Sequence, residues 1–428
     1  MPRNRGKKKT KGGRHSAEVS EDETFDDRAS VASSRQSDHD SLTPTEDGAD
    51  VGDEMDMTDD FEEKLKDFID GTTQKSAKGR QICLEGIKKA LSTRYIYDFV
   101  MERKATLTDC FERCLKKGKG EEQALAAVDA ALLCCQLGAG EESEAVFNEL
   151  KSTLTKVLQD KNGASKARAS CAMALCVCCF IAAGDMLVVI EVMNLVESVF
   201  KASYLKGDGS SPSHSPNITA IHTAALSAWT LLLSISPQSH IQAMISTHLP
   251  KLAELLRSDD VNLRIASGEA IALFYELARE QDQSFDDDNI ESLKVTLKEL
   301  ATDSNKYRAK KDRRQQRSSF RDVLRTVEDN ELPYELIKFG SETLELDSWV
   351  RKTQYGALRD MLGAGMNLHL KQNELFREIF DLGAPLTLAD SKALKLSKFE
   401  RHMYNSAAFK ARTLTRGKQR DTKNIASY

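Results

Sequence analysis

Apolar positions fall at helical spacing along most of the chain, and one kind of apolar stretch keeps returning. It reads RQICLEGIKKAL from Arg80, QALAAVDAALL from Gln123, RASCAMALCVC from Arg168, HTAALSAWTLLL from His222 and RIASGEAIALF from Arg264. The starts lie 43, 45, 54 and 42 residues apart, and the long interval holds the Gly/Ser/Pro loop Lys206 to Asn217. A period of about 40–47 residues is that of armadillo or HEAT units, in which each helix group buries its apolar face only by stacking on the next. Small residues such as Ala126, Ala172, Ala225 and Gly268 would let neighbouring helices approach closely. The pattern predicts an all-α, armadillo/HEAT-like solenoid over 61–330.

The flanks read differently. Residues 1–60 are poor in apolar residues and cannot offset their ordering entropy by burial, so they are expected to be a disordered tail, basic at first and then acidic and Ser-rich. After an acidic connector (QDQSFDDDN) helical patterns resume. YELIKFGSETLELDSW, Tyr334 to Trp349, alternates apolar and polar residues around Gly340 and predicts one short β-hairpin. Helices return from Arg351 to about Leu382, interrupted near Gly363–Gly365, which makes 331–390 a C-terminal helical subdomain. The chain closes with a basic helix and tail over 391–428, the helix running from about Lys392 to Thr415.

Charge sharpens this picture. The net charge is −5, but it is segregated. Met1 to Ala17 holds seven Lys/Arg and no acid, and Glu18 to Glu63 holds eighteen acids against two Arg. Ser391 to Tyr428 holds ten Lys/Arg against two acids. Such blocks are usually solvated interaction tails. The N-terminus has no apolar core behind its cations, and the longest apolar run, Cys171 to Ala183, is 13 residues, short of the roughly 20 a bilayer needs. An intracellular, soluble protein is expected, with no membrane partner.

Two basic constellations are candidates for function. Lys306, Lys310, Arg313, Arg314, Arg317 and Arg321 share one helical face, an arc of roughly 100° at 3.6 residues per turn. Like charges so spaced cost a helix about 0.2–0.5 kcal/mol each, so either a phosphate-bearing partner or acids on a neighbouring helix must neutralise them. In the terminal helix Lys395, Lys398, Arg401, Arg412 and Arg416 lie opposite an apolar side made by Phe399, Met403, Tyr404 and Ala407, while Phe409, beside Lys410, falls among the cations. Cations with an outlying aromatic suit a nucleic-acid backbone and a base to stack on. A protein partner or a membrane surface suits the same pattern. The cluster Cys171, Cys176, Cys178 and Cys179 reads as small buried apolar residues rather than as a metal site. Walker A, dinucleotide, GxSxG and HExxH motifs are missing, and the histidines fall mostly on loops or helix ends. No enzyme, cofactor, metal or small-molecule substrate is expected.

Long stretches resemble a known family. QKSAKGRQICLEGIKKAL, ERCLKKGKGEEQALAA, SDDVNLRIASGEAIALFYELAR, ATDSNKYRAKKDRRQQRSSFRDVL and KFERHMYNSAAFKART are similar to the interferon-related developmental regulators, with KGKGEEQALAA nearer the second vertebrate member. The resemblance implies an armadillo-like fold without catalysis and a regulator of gene expression. One implied role is on the ribosome, contacting ribosomal RNA and proteins: occupation of transfer-RNA sites on idle ribosomes, with the C-terminal helix in the messenger channel to hold translation off. The other is nuclear co-regulation of transcription with deacetylase complexes, docked on the concave face of the repeats. A cytoplasmic location is implied, with a nuclear one beside it. After Thr413 the sequence LTRGKQRDTKNIASY is thinner in cations than the family pattern.

Overall fold

The computed structural model describes residues 51–303 and 309–386, with side chains from Asp60 onward. The tail over 1–50, Lys306 and the closing helix lie outside the described residues. The first helix, α1 (Val51–Gly71), begins inside the stretch expected to be disordered. Val51, Met55 and Phe61 carry a sparse apolar spacing there, and Asp53, Glu54 and Asp56 sit at a helix start, where the dipole favours acids.

Helices α2 (Ala77–Thr93), α4 (Glu121–Leu137), α6 (Ser165–Ala182), α8 (Pro216–Leu233) and α10 (Val261–Arg279) are the five recurring stretches. Between them run α3 (Tyr97–Lys117), α5 (Glu141–Gln159), α7 (Met186–Phe200), α9 (Gln238–Leu255) and α11 (Ile290–Thr302), followed by α12 (Lys310–Asp329). Each even-numbered helix packs on the next even one, from α2 through α12, and the odd helices form a second layer. Polar contacts repeat at the same interval: Arg80 with Glu122, Thr153 with Glu112, Lys151 with Glu191, and Ser236 with Met193. The even helices therefore run parallel, with their N-termini at one edge. Ala126, Ala172 and Ala225 are fully buried in this row. A Cβ on Gly268 would lie 2.7 Å from the Phe320 ring, so glycine sets the α10–α12 approach.

The odd helices are buried along one stripe, whereas α4, α6, α8 and α10 are buried almost all round. A helix apolar on every side needs cover on every side, and a third layer supplies it. Strands β1 (Glu335–Phe339) and β2 (Glu342–Leu346) form the antiparallel hairpin expected around Gly340, whose φ of +60° fits the first central position of a type II′ turn. Then come α13 (Trp349–Leu362), a 3₁₀ turn over Gly363–Gly365, α14 (Met366–Gln372) and α15 (Glu374–Ile379).

Helix α13 is 14 residues long, about 21 Å, yet it reaches α2, α4, α6, α8 and α10. Five helices laid flat at 8–10 Å spacing would span roughly 32–40 Å between outer axes. The even row must curve around α13, which fills its concave side. Buried and part-buried hydrogen bonds fasten the layer. His369 Nε2 donates to Leu91 O, Asn373 Nδ2 to Cys135 O and Gln354 Nε2 to Ser234 Oγ. The Glu276 carboxylate accepts the N–H groups of Trp349 and Val350, at 2.5 and 3.2 Å. The surface expected to receive a docking partner is thus occupied by the chain itself. The segment over 331–390, expected as a C-terminal helical subdomain, shares one apolar core with the repeats.

Candidate nucleic-acid interface

Among the described residues helix α12 is the last of the even row; one side packs on α10 and α11, and no further described helix follows it in the row. Gln316, Phe320, Val323, Thr326 and Val327 make the buried side. Two arginines of α10 hold the register. The Arg264 guanidinium donates to Gln316 Oε1 at 2.5 Å, and Arg279 donates to the carbonyls of Thr326 and Val327 in the last turn of α12. A cation there suits the negative end of the helix dipole.

The predicted stripe lies roughly 120° round the helix from this side, flanking it rather than facing away from it. Lys310, Arg314 and Arg321 are exposed, and Arg313 and Arg317 are half-buried. The structure brings these five onto one face; Lys306 lies outside the described residues. Arg321 is engaged in an interaction of its own within the fold. For Lys310, Arg313, Arg314 and Arg317 no carboxylate partner is found among the described residues. The Nε atoms of Arg313 and Arg317 are shielded from solvent without an acceptor. Asp312, the acid within this stretch, lies roughly 200° round the helix from Lys310. Cations at a helix N-terminus also work against the dipole, at about 0.3–1 kcal/mol each. The face is therefore short of anions on two counts.

The stripe is one end of a longer basic edge. Connections from odd to even helices all fall at the edge where the even helices begin. Lys75, Lys78, Lys117, Lys119, Lys161, Lys206 and Arg257 are exposed along it, without ion pairs among the described residues. Acids at this edge are mostly occupied. Glu122 pairs with Arg80 and Glu121 with Lys166, while Asp160, Asp208 and Asp260 accept backbone N–H groups of Asn162, Ser210 and Leu263. The opposite edge is acidic, with Glu141, Glu144 and Asp185 and the Asp286–Asp288 run. Sequence reasoning missed these lysines, because charges some forty residues apart form no visible pattern. A usable signal was Lys78, a cation in the first turn of a helix whose dipole disfavours it.

Other clusters offer no chemistry at the surface. The nine cysteines are buried and free. Burial pushes the Cys171 and Cys179 thiols up to about 12, so they are neutral packing groups. No group of His, Cys, Asp and Glu among the described residues could hold a metal ion. His222, His248 and His369 are buried within helices, where the Ser203 hydroxyl meets His222 Nδ1 at 2.7 Å and the Tyr204 hydroxyl meets His248 Nδ1 at 2.8 Å. Such pairs resemble parts of catalytic relays but tie helices together inside the packing. Helix α6 is long and apolar enough to cross a membrane by composition, and it lies between α4 and α8 with most of its length buried. Lys395, Lys398, Arg401, Phe409, Lys410, Arg412 and Arg416 lie outside the described residues.

Comparison with known proteins gives a consistent lineage. Residues 28–328 match the interferon-related developmental regulator family and residues 373–424 the interferon-related protein conserved region. The chain is 50% identical to interferon-related developmental regulator 1 of Sus scrofa, over 88% of this chain and 84% of that protein. It is 48% identical to interferon-related developmental regulator 2 of Mus musculus, over 87% and 85%. These near-equal values give no preference to the second member, against the hint in KGKGEEQALAA. A HEAT-like repeats protein from Thermococcus onnurineus NA1 overlaps 63% of this chain and 93% of its own at 11% identity and a TM-score of 0.35, too loose an overlap to argue from.

Proposed function

Taking as premise that the chain belongs to the interferon-related developmental regulator family, we propose that it is a non-catalytic, ribosome-binding repressor of translation. In this reading it occupies transfer-RNA sites of inactive ribosomes, and its basic C-terminal segment enters the messenger channel. It works in the cytoplasm, with a nuclear pool beside it, and needs no cofactor. One observation carries the reading: the face of α12 holds Lys310, Arg313, Arg314 and Arg317 without carboxylate partners among the described residues, and a line of exposed lysines continues from it. A rigid helical stack bearing unneutralised cations along one edge suits RNA, whose phosphates dominate affinity and are contacted without regard to sequence.

The alternative, a nuclear co-regulator that docks deacetylase complexes on the concave face, has less to stand on because α13 fills that face. The test is translation in a cell-free lysate with vacant ribosomes. Deleting Ser391–Tyr428 is expected to abolish inhibition while the thermal melt stays that of the full chain. Full inhibition by the truncated protein would refute insertion into the channel.

A further inference from the structure

Four prolines directly follow a serine or threonine: Pro44, Pro212, Pro216 and Pro237. Thr43 lies outside the described residues. Ser236 is half-buried, and its hydroxyl donates to Leu232 O at 3.0 Å and to Met193 Sδ at 3.3 Å. Ser211 and Ser215 differ from both. They are exposed, in the stretch 211–215 that has no regular secondary structure and leads into α8. A proline ring pushes the residue before it out of helical backbone, and Ser215 accordingly holds φ −68° and ψ 154°. Its hydroxyl makes no cap hydrogen bond, although the residue occupies the N-cap position of α8.

Anchors hold the rest of this loop. The Asp208 carboxylate accepts the Ser210 N–H and hydroxyl, at 2.9 and 2.6 Å. Lys206 and Ser210 close a turn, the N–H of the first donating to the carbonyl of the second. Between the two Ser-Pro pairs, His214 Nε2 donates to Ala202 O at 2.9 Å, and its ring stands edge-on to His222 of α8 with centroids 4.8 Å apart. The backbone is therefore fixed on both sides of each serine while the hydroxyls stay in solvent. A protein kinase takes its acceptor hydroxyl from an exposed, extended strand. Proline has no N–H, so it can follow that hydroxyl only where the enzyme requires no donor.

We infer that Ser211 and Ser215 are acceptor sites for a proline-directed serine kinase, and that their phosphorylation loosens the basic edge from RNA, an effect that rests on the RNA reading above. The serine Oγ attacks the γ-phosphorus of ATP. The Oγ–P bond forms as the bond from that phosphorus to the β–γ bridging oxygen breaks, ADP leaves, and the hydroxyl proton passes to the kinase's catalytic carboxylate. Each phosphate adds about 1.5–2 negative charges at pH 7, so the pair adds roughly 3–4. The loop joins α7 to α8 at the edge where the even helices begin, with α6 and α10 on either side. Packed helices lie about 8–10 Å apart, and a charge acts over about 10 Å at 0.1 M salt. The phosphates therefore act on Lys206 in the loop, Lys161 before α6 and Arg257 before α10, all three exposed. At Ser215 a phosphate also meets the positive end of the α8 dipole, which favours it. The modified chain keeps its fold.

The experiment uses the full chain carrying Thr43→Ala, treated with MgATP and, in parallel, a purified mitogen-activated or cyclin-dependent protein kinase. Peptide mass spectrometry is expected to place phosphate on Ser211 and Ser215 and none on Ser236. Co-sedimentation of the treated chain with vacant ribosomes at about 100 mM salt should then be at least about tenfold weaker. Ser211→Ala/Ser215→Ala should bind alike with and without treatment, and all thermal melts should coincide. If neither serine takes phosphate from either kinase, the proposal is overturned. Full phosphorylation with unchanged affinity overturns it too, and weaker binding by Arg313→Glu/Arg314→Glu/Arg317→Glu would then leave the RNA reading in place. An untreated parent that does not sediment with ribosomes would sink the RNA reading itself, and the regulatory step with it.

Discussion

Replacing Glu276 by glutamine should change how stability depends on pH, because this carboxyl joins the repeats to the layer that covers them. It sits in α10, 5% exposed, and caps the first turn of α13 from 73 residues away. Burial raises its pKa to about 7, against the pull of the Trp349 and Val350 N–H groups, which favour the charged form. A carboxyl that holds its proton better in the folded chain than in the unfolded one lends stability at low pH. That contribution is full below the unfolded value of 4.5 and is lost as pH rises through about 7. A shift of this size corresponds to roughly 3 kcal/mol. Glutamine keeps one acceptor and removes the titration. Its stability relative to the parent should therefore improve by roughly 3 kcal/mol between about pH 4.5 and pH 8. The assay is urea unfolding in a Trp229→Phe background, which leaves Trp349 as the single tryptophan and thus a reporter on the start of α13. Other titrating groups, His222 and His369 among them, cancel in the difference. Parallel pH profiles for parent and variant would refute the proposed linkage.

Gly365 offers a simpler test of the same contact, because a Cβ there would lie 1.7 Å from the Ser92 carbonyl oxygen at the end of α2. Gly365→Ala should cost about 1–3 kcal/mol and expose the segment after β2 to limited proteolysis before the repeats are cut. Asp129 is fully buried in α4, both carboxylate oxygens lack hydrogen-bond partners, and burial holds its pKa well above the carboxylate range. Asp129→Ala should raise the melting temperature at neutral pH, with the gain shrinking as the pH falls towards the unfolded carboxylate value; an equal gain at both pH values would contradict the assignment.

Legibility in the sequence followed burial. The even helices stood out because α4, α6 and α8 are apolar on nearly every side, and the hairpin because period-two alternation around Gly340 has no helical reading. The same all-round apolarity means that α4 and α6 need a cover on both faces. What covers them, WVRKTQYGALRDML, reads as an ordinary amphipathic helix, and nothing local says that Trp349 reaches Glu276. In α12 the stripe was visible as a face, whereas Gln316, polar and surrounded by cations in sequence, gave no sign that it is buried against Arg264. The edge lysines belong to different repeats and acquire meaning only once the helices are stacked.

Whether the unneutralised cations on α12 meet RNA phosphates is read from co-sedimentation with vacant ribosomes over about 50–200 mM salt. Each phosphate contact steepens the logarithmic salt dependence of binding by about 0.7–0.9. The triple variant Arg313→Glu/Arg314→Glu/Arg317→Glu should bind more weakly at low salt, with a slope shallower by roughly 2–3 and an unchanged thermal melt. A variant that matches the parent in both affinity and slope would contradict the account.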